Sequence, residues 1–64
     1  MSDFAALADE IGALERRVSD AIFETVRAQL RDGDEVAKEL ERRLSKVRRS
    51  LQKAEHLLRH ESLD

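Results

Sequence analysis

At 64 residues, 41% of them charged and none of them cysteine or proline, the chain is one small domain with no disulfide and no thiolate metal site. The net charge of −2 hides a split: residues 1–41 carry eleven acids and five bases, whereas residues 42–59 carry seven bases and one acid. No apolar run approaches the roughly 20 residues needed to cross a bilayer, and the start Met1-Ser2-Asp3-Phe4 lacks the basic and apolar regions of a secretory leader. A cytoplasmic location is the expectation.

The first half reads as one long helix over about 3–31. Apolar residues stand at 4, 7, 11, 14, 18, 21 and 28, with Thr25 filling the one gap. Steps of three and four alternate, which is the a/d pattern of a packed helix, with Phe4 as a. Ser2 or Asp3 can cap its start by accepting a hydrogen bond from an unpaired backbone N–H. No stretch alternates with period two, so sheet is not expected.

Asp32-Gly33-Asp34 is the one strong turn signal. Gly33 can take the left-handed conformation that ends a helix. Asp34 can then cap the next one, with Glu35 near the positive end of its dipole. The turn is read as 32–34.

The second helix is read from about 34 to 60. Its apolar residues stand at 37, 40, 44, 47, 51, 54 and 58. Each pairs with one in the first half so that the two numbers total 65: Leu7 with Leu58, Ile11 with Ala54, Leu14 with Leu51, Val18 with Val47. Folding at Gly33 places these layers opposite one another. The fold class expected is therefore all-α: a single domain, 1–64, forming an antiparallel two-helix hairpin of coiled-coil type. Leu14, Val18, Leu44, Val47 and Leu51 are expected at its centre.

A lone hairpin of this size has little core, so assembly into a helical bundle is expected, as a homodimer or with another helical protein. A second apolar surface supports this. Ile22, Phe23, Val26 and Leu30 fall off the a/d rows toward the turn end of helix 1, and Val36 lies near them at the start of helix 2. A Phe on an outer face calls for a covering partner. Along the same flank Ala8, Gly12 and Ser19 are small enough to admit another helix closely.

On helix 2 the outward positions Arg42, Lys46, Arg49, Lys53, His56 and His60 form one straight basic stripe, flanked by Arg43, Arg48 and Arg59. Such a stripe suits phosphates, an acidic partner or plain solvent. It has no interleaved aromatic to stack bases. His56 and His60 have the i, i+4 spacing that can hold a metal, but no third ligand is evident and Lys53 and Arg59 repel a cation. Glu55 and Glu61 form no acid/base pair in a pocket. No catalytic, cofactor or metal motif is present, and neither an enzyme nor a small-molecule binder is expected.

In length, heptads and the Asp32-Gly33-Asp34 turn, the layout resembles two hairpin families. One is the Rop type of plasmid RNA-binding regulator; the other is the small co-chaperone of type III secretion needle subunits. The Rop type reads RNA with its first helix, which is here the acidic one, and no family residue carries over. The function expected is a non-enzymatic protein–protein interaction module: a small adaptor, chaperone or assembly subunit acting through the helix 1 patch. The alternative is a small dimeric nucleic-acid-binding regulator using the basic stripe.

Overall fold

The structure, a computed structural model, describes residues 3–33 and 35–60. It contains two helices, α1 (Asp3–Asp32) and α2 (Glu35–Arg59), packed against each other as a hairpin. The caps expected from Ser2 and Asp34 lie outside the described residues, as does Glu61. Gly33 ends α1 as the turn requires: its φ is 61°, and its N–H donates to the Gln29 carbonyl at 2.8 Å. That left-handed geometry closes the last turn of the helix at no steric cost only for a residue without a Cβ.

Cross-helix contacts run in antiparallel order. Gln29 donates to Glu41 at the turn end, Arg48 lies 3.4 Å from the Ser19 hydroxyl in the middle, and Arg59 reaches Asp9 at the open end. The molecule is a slab 48 Å long, 16 Å wide and 11 Å thick, one helix layer deep.

The centre of the seam is not where the apolar rows alone place it. Ala8 is fully buried, and Ala37 and Thr25 nearly so, while no large side chain among the described residues is completely enclosed. In heptad terms the helices meet along their a and e positions. From Ala8 onward these are, on α1, Ala8, Ile11, Glu15, Val18, Ile22, Thr25 and Gln29, and on α2 Ala37, Glu41, Leu44, Arg48, Leu51, Glu55 and Leu58, all buried or half-buried, while Phe4, the first a residue, is exposed. The large residues of the d rows stand further out, whereas the d-row alanines Ala21, Ala28 and Ala54 are half-buried. Leu7, Leu14, Leu40 and Val47 each keep 43–45% of their surface exposed. Of the five residues expected at the centre, Val18, Leu44 and Leu51 are half-buried, and Leu14 and Val47 are not core.

The physical reason is size and polarity. Small residues on the e and b positions of α1 (Ala8, Gly12, Ser19) let α2 approach on that side. The polar e residues of the two helices can bond there while keeping their ends wet. Thr25, an a residue with a hydroxyl, bonds it to the Ile22 carbonyl at 2.8 Å and so fits the buried seam.

Candidate interaction surfaces

The tilt divides the hairpin into faces of different chemistry. On the wheel of a heptad helix, d lies about a quarter-turn from e and g lies further round on the same side, so the d and g rows of both helices share one broad face. Its floor is the half-buried a row and its ridges are the exposed d residues. A groove on α1 is lined by Leu7, Glu10, Ile11, Ala13, Leu14 and Arg17. Another on α2 is lined by Val36, Leu40 and Arg43 with Glu35 and Glu39. Leu57, a g residue, is 60% exposed at the open end. The sequence pattern places the d row, though not the g row, in the interior. The signal available was the polar e row of α2, Glu41, Arg48 and Glu55, whose charged ends suit a seam open to water on one side.

The patch expected on α1 is split between two environments. Ile22 and Val26 are half-buried on the flank that meets α2. Phe23 and Leu30 stand one row further out, 66% and 82% exposed. Val36 is also exposed but lines the d/g groove of α2, with no α1 residue in that groove. The small flank Ala8, Gly12 and Ser19 receives α2 of the same chain, which corrects the expectation that it is kept for another molecule: Ala8 is fully buried, and Glu55 and Arg48 approach Gly12 and Ser19.

The basic stripe is exposed along its length, from Arg42 through Lys46, Arg49, Lys53 and His56 to His60. Its flanking cations are engaged. Arg43 pairs with Glu39 at 3.4 Å, and Arg59 bridges Glu55 and Asp9 at 2.6 and 3.1 Å. Arg42, Lys46, Arg49 and Lys53 make no ion pair or hydrogen bond with another described residue. The His56 and His60 rings lie 4.2 Å apart, centre to centre. No cluster of three metal-ligating side chains occurs among the described residues.

Along the e flank runs a polar cleft of about 410 Å³, lined by Gly12, Glu15, Arg16, Ser19, Asp20, Arg48, Gln52 and Glu55. Within it Glu15 faces Glu55 across the seam. One Glu15 oxygen, Oε2, is enclosed without a donor. Hydrogen bonding with Glu55 holds Glu15 above the usual carboxylate range, helped by desolvation and by the Glu55 charge. Glu55 is held below that range, by the bond from Glu15 first and by Arg59 second. Its two carboxylates make one half of a seam contact, with Arg59 completing it; no substrate-sized enclosure surrounds them.

No protein-family model, curated protein or solved structure matches the chain. No helix among the described residues is long and apolar enough to cross a membrane.

Proposed function

We propose that the chain is a non-enzymatic protein–protein interaction module, a small adaptor, chaperone or assembly subunit. One observation carries this reading. Both helices expose their d-row leucines and valine on one face, and no large side chain among the described residues is completely enclosed. A single helix layer buries its apolar stripe only when a second layer covers it. Phe23 and Leu30 add an exposed apolar pair on a different row of α1, so the module has a broad face for assembly and a smaller knob for recognition. Charges along the rims would fix orientation more than affinity.

The test is affinity capture from the native host with wild type and Phe23→Asp side by side. A protein retained by wild type and lost from Phe23→Asp supports recognition through the knob. Identical sets retained by both would remove Phe23 from the recognition surface.

A second reading has its own observation: four stripe cations without an acidic partner among the described residues. Under it the chain is a small nucleic-acid-binding regulator. Changing Arg42, Lys46, Arg49 and Lys53 together to Glu would then abolish binding, and Phe23→Asp would leave it unchanged. Filter binding of mixed DNA and RNA at about 50 mM salt decides it, since phosphate-driven affinity falls with a log–log salt slope near −0.9 per phosphate neutralised. No retention at micromolar protein removes the reading.

A further inference from the structure

We propose that the d/g face is covered by a second copy of the chain, docked antiparallel so that α1 lies on its counterpart and α2 on its own. This rests on the interaction-module reading and names the occupant of the broad face.

The size pattern of α1 selects a copy of itself. Along the a and d rows the first half of α1 is bulky, with Leu7, Ile11 and Leu14. The second half is small, with Ala21, Thr25 and Ala28. Set antiparallel about a two-fold axis passing midway between Leu14 and Val18, Leu7 lies in the layer of the partner's Thr25, whose small side chain its own seam already holds. Ile11 meets the partner's Ala21, and Leu14 the partner's Val18. Each large side chain faces a smaller one, which is how facing helices fill the space between them without voids or overlap. The hairpin register carries the same axis to α2, where Leu44 meets the partner's Ala54 and Val47 the partner's Leu51, while Leu40 meets the partner's Leu58, the one large-on-large pair.

The other two-fold docking, with both turns at one end, gives uneven layers. It gathers Leu7 and Leu58 of both copies at the open end and Ala28 and Ala37 of both at the turn end. An unrelated partner would have no reason to match the gradient of α1 in reverse.

The face has the area an interface needs. At 48 by 16 Å its footprint is roughly 770 Å², close to the about 800 Å² per partner of a standard stable interface. The burial pattern also fits a square bundle. The a row is already half-covered by the chain's own second helix, and the d row points a quarter-turn away, where the next helix of such a bundle would stand.

Rim charges follow from the same axis. The partner's Arg31 comes beside Asp3, while Glu10 faces the partner's Glu24 and Arg17 faces the partner's Arg17 at the axis itself. Exposed pairs of either sign weigh little beside buried leucines. They give the dimer a signature: Arg17→Gln should tighten it by about 2- to 5-fold.

The test uses the full chain, which has no cysteine, so an introduced thiol is unique. Arg17 is exposed, and Arg17→Cys places one thiol per copy at the axis; Arg27→Cys places it far from its own copy. Each is treated with a short bis-maleimide, beside sedimentation equilibrium of the unmodified wild-type chain. A wild-type dimer, with Arg17→Cys captured as a covalent dimer and Arg27→Cys not, is the expected result. A dimer in which Arg17→Cys stays uncrosslinked overturns the antiparallel docking and leaves the interaction module standing. A helical monomer at every concentration overturns the second copy. In that case a host protein retained by wild type and lost from Phe23→Asp keeps the module reading, and its absence ends both.

Discussion

Two glycines show how differently one residue type can act in this chain. Gly33 sits at a φ of 61° with nothing near its absent Cβ, so space is not the constraint; the backbone is. Gly33→Ala should cost about 1 kcal/mol, lowering the melting midpoint by about 4–8 °C. Gly12 lies inside α1 without positive φ, and a Cβ there would stand 3.5 Å from the Glu55 carboxylate, an ordinary contact. Gly12→Ala should therefore stabilise by about 0.5–1 kcal/mol through helix propensity. Thermal melts followed by circular dichroism check both, and shifts of the same sign would undo the distinction. The Glu15–Glu55 contact behaves differently because its two carboxyls are shifted in opposite directions. Glu15 is raised in the folded chain, so its contribution is full below the ordinary carboxylate pKa and fades as pH rises through its folded value. Glu55 is lowered, so its contribution is present above that ordinary value and fades as pH falls through its folded value. Together they favour the hairpin most between the two, near the usual glutamate range, and less at neutral pH, where the Glu15 contribution is gone. Glu15→Gln keeps a donor for Glu55 and removes the charge. It should raise the midpoint at pH 7 and barely move it at pH 4.5; an equal shift at both would mean that the two carboxyls are not coupled.

At the scale of the helices, much was legible in the sequence. The a/d spacing, the absence of proline and the glycine between two aspartates point to two helices and one turn. The bounds Asp3–Asp32 and Glu35–Arg59 lie within a residue of those read from the pattern. What the pattern did not contain was which side of the apolar stripe meets the other helix. An a/d stripe marks the axis about which helices gather, and its e flank and g flank are equivalent until packing breaks the tie. Here the tie is broken by small residues at Ala8, Gly12 and Ser19 and by side chains such as Gln29 and Glu41 that bond across the e flank. The Phe23 patch was blurred for the same reason: Ile22 and Val26 turn toward α2 while Phe23 and Leu30 turn away. The rotated seam makes a signed prediction. Ala8 is fully enclosed although it is an e residue, so Ala8→Leu should overpack the hairpin and cost about 1–3 kcal/mol in urea unfolding. A seam centred on a and d would leave position 8 at the rim and make the change neutral or stabilising.

The whole molecule is a slab 11 Å thick, and a slab of two helices is half of a layered domain. Its shape, more than any one contact, ties folding to association. The half-exposed d rows lose most of the benefit of being apolar until something covers them. If that cover is a second copy, folding and dimerisation are one equilibrium, and the melting midpoint must depend on protein concentration. The size of the effect can be stated. Unfolding a dimer of 64-residue chains releases roughly 0.27 kcal/mol per kelvin of entropy. A tenfold rise in concentration is worth about 1.4 kcal/mol to the dimer. The midpoint should therefore climb by about 5 °C per decade of concentration, and by about 10 °C between 1 and 100 µM. Circular dichroism at 222 nm in cells of different path length covers that range on one preparation. Leu14→Glu, at a ridge of the exposed face rather than in the hairpin seam, should flatten the dependence and lower the midpoint at high concentration, because it removes the second layer while sparing the contacts of the first. A midpoint constant across the hundredfold range, with full helix content, would show that the single layer stands by itself, and the exposed leucines would then be available to a different protein.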